Sequence, residues 1–427
     1  MSARTLALLG GTPVGAPSQD PHPRFTPEAI ARVRDLLERG STVGLSKGHP
    51  AVAEAETSIA EWQGVPYCLG TSSGHGALHA AVIGLELTGG DEVITTPYTW
   101  GASTSCILHN GAIPVFADVE PETGLLDPNA IEPLITPKTR AILAVHIYGQ
   151  AANMTAIRQV ADKHGLVVIE DGSQAHGAVH QGRKVGQFGD AAGFSCMGGK
   201  LLATSEAGYM VTPRAEVYWK AAMGCQHMGR SGDPGFPDEL RPYVDSLVYT
   251  YRLTPINAVL LSEQLKKLDE ENKGRRDNAA LFRRALKGVE SYTLPTYAPG
   301  DDPVYHMLTG NFHPEVAEVS RETYLEAVRA EGVGVFSYVP SPIPTWKRLD
   351  PDAGGPRALW HETIRRSGRR YADVSLPNCE RKVACSVEMG WNYISPQAEG
   401  MKRLADAFHK VEENLTALRD WERSRRG

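Results

Sequence analysis

Lys200 stands in the stretch Phe194-Ser195-Cys196-Met197-Gly198-Gly199-Lys200-Leu201-Leu202. Glycines and apolar residues on both sides predict partial burial. Burial lowers an amine's pKa and raises its neutral fraction, which a Schiff-base lysine needs. The competing reading is a surface lysine whose stem lies along apolar neighbours. A phosphate loop of the form GxxxxGK[ST] is excluded, because Leu201 follows the lysine. A second chemical group closes the apolar run Leu166-Val167-Val168-Ile169, which ends in Glu170-Asp171. In open α/β sheets ligands sit beyond the carboxyl ends of strands, which places Asp171 at the ligand edge unless it only caps a turn. Third, Thr71-Ser72-Ser73-Gly74-His75-Gly76 lies between a strand and a helix. A helix N-terminus there offers N–H groups to an anion, Ser73 adds a hydroxyl, and Gly74 permits close approach. Fourth, Pro97-Tyr98-Thr99-Trp100 follows another strand, where Trp100 either stacks on a flat ring or joins the core.

An anion cup, a stacking aromatic, a carboxylate for a ring nitrogen and a Schiff-base lysine together match the needs of pyridoxal 5′-phosphate. No GxGxxG follows any strand, which weighs against a nicotinamide oxidoreductase.

The elements that must position these groups are legible from hydrophobic pattern. Strands are expected at 67–71, 92–96, 113–119, 141–146, 166–170, 191–195 and 209–212, alternating with helices at 76–87, 102–110, 128–135 and 155–164. Continuous apolar runs such as Ala141-Ile142-Leu143-Ala144-Val145 suit strands buried on both faces of a mostly parallel sheet. A long helix should start at Pro255, capped by Thr254, and run to about Leu286, far enough to pass between two domains. Pro295, Pro299 and Gly300 punctuate the change to an α+β region. It ends in one helix with Met401, Leu404, Phe408, Val411, Leu415 and Leu418 on a single face. The expected division is 1–265, an arm and a large α/β domain, and 266–427, a smaller α+β domain.

Composition narrows the partners. The 427 residues carry a formal net charge of −6, so no basic excess points to nucleic acid. The basic tail Arg423, Arg425, Arg426 reads as a solvated end. No apolar run reaches the roughly 18 residues of a membrane span, and a cytoplasmic protein is expected. The six cysteines include no CxxC pair. His75/His79 and His176/His180 have HxxxH spacing without a supporting ligand cluster, so neither disulfides nor a metal are expected.

The segment IEDGSQAHGAVHQGRKVGQFGDAAGFSCMGGKLLATSEAGYMVT (169–212) resembles the DegT/DnrJ/EryC1/StrS aminotransferases. So do LLGGTPV (8–14), LGTSSGHGALHAA (69–81), VITTPYTWGAS (93–103), VHIYGQAANM (145–154), QHMG (226–229), YRLTPINAVLLSEQLKKLDEEN (251–272) and LPNCERKVACSVEM (376–389). The resemblance implies the type I aspartate-aminotransferase fold and a homodimer with active sites at the subunit interface. Lys200 matches the lysine that holds the cofactor, Asp171 the partner of its ring nitrogen, and Gln174 the residue near its ring hydroxyl. Trp100 matches the stacking aromatic. Ser73, Gly74 and Ser195 match the phosphate cup. His227 and Arg230 lie where the family often contacts substrate.

Gly-Gly-Lys-Leu-Leu is similar to the subgroup acting on cyclitols and related carbocycles, which includes scyllo-inosose aminotransferases and 3-amino-5-hydroxybenzoate synthase. Three positions depart from the family pattern. His75 replaces a phosphate-binding threonine. Ser205-Glu206-Ala207-Gly208 replaces Gly-Glu-Gly-Gly. Thr250 replaces an asparagine that reaches the neighbouring subunit's cofactor phosphate. Either Thr250 still reaches it, or His75 supplies the contact from its own chain, or backbone amides suffice.

The leading expectation is an aminotransferase that moves an amino group from glutamine or glutamate to a ketone of a cyclitol or keto-sugar, in secondary-metabolite (aminoglycoside-like) biosynthesis. Lys200 would be its general base and acid. The alternatives are an eliminating, aromatising enzyme of the aminohydroxybenzoate type and a non-catalytic pyridoxal-phosphate-binding regulator.

Overall fold

A computed structural model describes residues 5–45 and 48–426. Residues 1–4 of the first expected domain and the side chain of Arg426 lie outside the described residues. Seven strands form the large sheet: β1 (Tyr67–Thr71), β2 (Glu92–Thr95), β3 (Ile113–Phe116), β4 (Thr139–Val145), β5 (Val167–Asp171), β6 (Ala191–Ser195) and β7 (Gly208–Thr212). Their order is β1-β7-β6-β5-β4-β2-β3. Only β7 runs against its neighbours. The carboxyl ends of β1 to β6 therefore share one edge with the start of β7. The apolar runs are buried as their composition requires: Ala141, Ile142, Leu143 and Ala144 of β4 are wholly inaccessible.

Helices cover the sheet. The first used below are α1 (Gly74–Gly84), which follows β1, and α2 (Ala102–His109), which follows β2. The expected helix at 128–135 is instead two short 3-10 turns, Pro128–Ala130 and Glu132–Leu134. Pro128 is tolerated at the first position, but Pro133 supplies no N–H and its ring clashes with the preceding turn, so an α-helical ladder cannot run through it.

The long helix α3 spans Pro255–Ala285, about 46 Å at 1.5 Å per residue. Thr254 caps it, accepting the Asn257 N–H at 3.3 Å. Its first half places Ala258, Leu261, Leu265 and Leu268 in a core with Phe194, Tyr209 and Val211 of the large sheet. Its second half places Ala279 and Phe282 in another core with Leu308, Phe312, Val387 and Met389. Those residues belong to a four-stranded antiparallel sheet of β8 (Tyr292–Thr293), β9 (Met307–Phe312), β10 (Val335–Phe336) and β11 (Ser386–Gly390), ordered β8-β9-β11-β10. The boundary at 265/266 thus falls inside α3.

Two segments cross between the cores. Leu6 is buried in the core of the small sheet, and Glu331 accepts the Ala7 N–H at 2.7 Å. Val339, Ile343, Ile364, Tyr371 and Leu376, by contrast, pack into the core of the large sheet. The terminal apolar face is buried as expected, but on two helices, Ala398–Glu413 and Leu415–Arg426. They break at Asn414, whose side-chain amide donates to the Lys410 carbonyl at 2.8 Å. An asparagine bonding nearby backbone in this way competes with helix continuation.

Candidate active site

The carboxyl edge of the large sheet opens into a cavity of about 530 Å³. Eight of the eleven residues singled out from sequence line it: Ser73, Gly74, His75, Trp100, Asp171, Gln174, Ser195 and Lys200.

The anion cup is built by close backbone approach. Ser73 has extended backbone and caps α1, its Oγ accepting the Gly76 N–H at 3.0 Å. The first N–H groups of a helix have no partner within it, and those of Gly74 and His75 are left for an anion. A Cβ on Gly74 would stand 2.3 Å from the Ser195 Cβ, and one on Gly208 would stand 2.3 Å from the Ser73 carbonyl. Only glycines let α1, β6 and β7 meet here, which shapes the concave floor that a phosphate group requires.

Lys200 sits in the loop between β6 and β7. That loop is laced across itself by Cys196 N–H to the Ala207 carbonyl at 2.7 Å and Thr204 N–H to the Cys196 carbonyl at 2.8 Å. The Lys200 N–H donates to the Met197 carbonyl at 2.8 Å, and its carbonyl accepts from His22 Nε2 at 2.7 Å. His22 comes from the N-terminal arm. Burial lowers the Lys200 pKa, while the nearby Asp171 charge opposes the shift.

Asp171, 5% exposed, is the last residue of β5. Ser103 Oγ donates to its Oδ2 at 2.7 Å, and the Ser173 N–H donates to its Oδ1 at 3.0 Å. Trp100 is 64% exposed at the cavity wall, with its ring centroid 6.4 Å from that of Tyr338. Gln174 is buried, its Oε1 accepting the Tyr148 N–H at 2.6 Å and its Nε2 donating to the Tyr338 hydroxyl at 3.3 Å. An aromatic plate, an amide donor, a carboxylate and an amine thus face one space that has an anion cup at its floor. This donor set suits pyridoxal phosphate.

Three residues stand elsewhere. Thr250 is exposed on the segment before β-bridge residue Arg252 and does not line the cavity. His227 turns inward on its own loop, where its Nδ1 accepts the Gly229 N–H at 3.0 Å. Arg230 is 3% exposed and bound to Glu56 at 2.5 and 3.2 Å and to Asp233 at 3.2 Å. Arg230, expected where the family often contacts substrate, has its guanidinium engaged in a buried ion pair and does not line the cavity.

His75 lies among other histidines. Burial and the nearby His109 push its pKa down to about 4. Its ring lies 4.8 Å from that of His109 and 5.9 Å from that of His79. His75 and Trp100 also wall a second, largely apolar hollow of about 440 Å³, completed by Trp346 and Trp360.

Sequence reasoning missed Ser103, His306 and Tyr338. Tyr338 and His306 come from distant segments without a motif. Burial, with the Lys200 charge, holds His306 well below the usual imidazole range. Ser103 did carry a signal, since Thr99 and Ser103 are four residues apart beside Trp100 at a helix start.

Comparison with known proteins adds the following. The family profile described as the DegT/DnrJ/EryC1/StrS aminotransferase family matches residues 23–357. The L-glutamine:2-deoxy-scyllo-inosose aminotransferase of Streptomyces paromomycinus is 34% identical, covering 96% of this chain and 97% of that one. The enzyme of the same name from Micromonospora echinospora is 32% identical over 97% and 99%. The solved structure of an aminotransferase from Psychrobacter cryohalolentis superposes with a TM-score of 0.80 at 27% identity, covering 93% of this chain and all of that one.

Proposed function

The chain belongs to the DegT/DnrJ/EryC1/StrS aminotransferase family, and from that premise we propose that it transfers an amino group from glutamine, with glutamate as the alternative donor, to a ring ketone of a cyclitol. The observation that supports this best is the convergence of Lys200, Asp171, Gln174 and Trp100 on one cavity above the N-terminus of α1. The near-full-length likeness to glutamine-dependent scyllo-inosose aminotransferases supports the donor and the carbocyclic acceptor.

Pyridoxal phosphate, when bound, supplies an electron-withdrawing ring that stabilises negative charge on a substrate carbon. Ser73, Ser195 and the N–H groups of Gly74 and His75 would hold its phosphate. Trp100 would cover one face of its ring, and Gln174 would donate to its ring hydroxyl. Asp171 would hold the proton on the ring nitrogen, because an anion there stabilises a pyridinium. The buried Lys200 amine keeps a neutral fraction that can bond covalently to a carbonyl. Once the amino donor had displaced it from that carbonyl, the freed Nζ would be placed to take a proton from one carbon and return it to another.

We further propose a cytoplasmic homodimer in which the exposed Thr250 reaches the partner's cup, and a division into a large domain 1–265 and a smaller domain 266–427. No described helix is long and apolar enough to cross a membrane. The test is a panel of ketocyclitols and nucleotide-linked ketosugars offered with glutamine, glutamate and alanine. Amination of ketocyclitols with glutamine, without loss of water, is expected. Loss of water from the acceptor would instead favour the aromatising alternative. No amination of any ketone, despite cofactor uptake, would overturn the proposal.

A further inference from the structure

Ser103 has one hydroxyl proton and two acceptors in range: the Asp171 Oδ2 at 2.7 Å and the Trp100 carbonyl at 3.3 Å. The carboxylate is both nearer and charged, so the proton goes to Asp171. Thr99 Oγ1 lies 3.1 Å from Ser103 Oγ. Because the Ser103 proton is already committed, Thr99 must be the donor in that pair, and the hydrogen bonds run one way, Thr99 to Ser103 to Asp171. Ser105, in the same helix, shows the ordinary alternative: its hydroxyl turns back on the Ala102 carbonyl at 3.4 Å.

The geometry around the carboxylate is then closed on two sides. The Ser173 N–H holds Oδ1 at 3.0 Å. Ser103 holds Oδ2, and both hydroxyls of the relay are buried, Ser103 to 1% and Thr99 to 3% exposure. Two donors, one on each oxygen, restrict the rotation of the carboxyl plane and leave each oxygen a further acceptor site. Ser103 also lies three residues after Trp100, and its N–H donates to the Trp100 carbonyl at 3.3 Å. One short loop therefore delivers both the aromatic plate and the hydroxyl that aims the carboxylate.

We infer that Ser103 is a positioning residue: through its hydroxyl it fixes the direction in which the Asp171 carboxylate meets the nitrogen of the cofactor ring, with Thr99 orienting Ser103 in turn. The inference rests on the pyridoxal phosphate reading above.

The experiment compares Ser103→Ala and Ser103→Thr in the unsubstituted and Asp171→Asn backgrounds. Four quantities are read: the melting temperature without cofactor, the dissociation constant of pyridoxamine phosphate, the 15N shift of ring-labelled cofactor, and the KM-against-kcat split for glutamine. Ser103→Ala should melt within a few degrees of the parent. It should bind pyridoxamine phosphate about 10- to 100-fold more weakly, the range typical of lost supporting hydrogen bonds. The ring-nitrogen signal should move toward the unprotonated position, and kcat should fall while KM stays. Ser103→Thr keeps a hydroxyl on the same carbon and should restore these values. In Asp171→Asn, Ser103→Ala should add nothing. An unmoved nitrogen signal with unchanged affinity overturns the inference alone, as does an equal loss in the Asp171→Asn background. Failure of the unsubstituted protein to take up the cofactor overturns the reading beneath it as well.

Discussion

The Tyr148 N–H donates to Gln174 Oε1 at 2.6 Å, and this one bond decides which end of the Gln174 amide faces the cavity. An N–H can be met only by the oxygen, so Nε2 is turned toward the Tyr338 hydroxyl and the site. Tyr148 delivers its N–H from a left-handed backbone, φ 62°, which is costly for a residue with a side chain. The hydrogen bond between the Tyr98 and Tyr148 hydroxyls, 2.8 Å, helps to hold it there. Gln174→Glu keeps the acceptor for Tyr148 but removes the donor. Cofactor affinity should fall about tenfold, the scale of one hydrogen bond to a charged oxygen. Titration of the cofactor absorption band measures it, and undiminished affinity would show that Gln174 makes no contact with the cofactor.

Lys200→Ala should fold and bind pyridoxamine phosphate, yet lose the half-reaction with glutamine by at least about 10³-fold, since covalent anchor and proton carrier go together. Borohydride treatment of the parent protein followed by peptide mapping should place the reduced cofactor on Lys200. An adduct on any other lysine would refute the assignment. Because burial lowers the Lys200 pKa, the unliganded amine should titrate below its ordinary 10.5.

Asp171→Asn offers one oxygen where the carboxylate offers two, so it cannot keep both the Ser103 and Ser173 contacts. Cofactor should still bind, while turnover should fall by roughly 10²-fold or more because the ring-nitrogen proton loses its counter-charge. Steady-state rates at saturating glutamine check this. Near-parental turnover would mean that another group holds the nitrogen.

His75 and His79 both sit at about 4, below their ordinary 6.5, chiefly through burial. Between those pH values the unfolded chain binds protons that the folded chain refuses. Stability should therefore fall as pH drops from 6.5 toward 4, by up to about 3 kcal/mol for each of the two histidines. His79→Phe, which cannot take up a proton, should flatten that slope in urea unfolding series. A slope identical to the parent's would show that other groups drive the acid response.

Arg230→Ala strands Glu56 and Asp233 without their buried counter-ion. The expected loss is about 3–5 kcal/mol of folding stability. Denaturant titration measures it, and the KM of the acceptor in the surviving folded fraction should not change. A selective rise in that KM with stability intact would restore a substrate-binding role.

The large sheet was legible because its strands are short apolar runs ending in polar residues, and β1 and β6 begin and end where the pattern puts them. Asp171, Lys200, Ser73 and Trp100 could be singled out because each follows such a strand. The failures have physical causes. Pro133 reduced an expected helix to 3-10 turns, and one asparagine divided another. The lowered pKa of His75 comes chiefly from burial, with His109, 34 positions away, adding to it, and no local pattern reveals either. Arg230 finds Glu56 across 174 residues. His306 and Tyr338 reach the cavity from the far half of the chain, and tertiary contact alone brings them there.

The latch on the Lys200 carbonyl has a consequence for synthesis on the ribosome. His22 precedes in the chain every group that holds it. Beside it, Arg275 Nη2 lies 3.4 Å from its Nδ1. Two residues before it, Asp20 accepts from the N–H groups of Ile394 and Ser395 at 2.7 and 2.8 Å. The Asp20 anchors therefore exist only after some 370 further residues have been translated, a very long loop to close. The lysine loop thus takes one of its restraints from an arm whose own anchors lie in the far half of the chain.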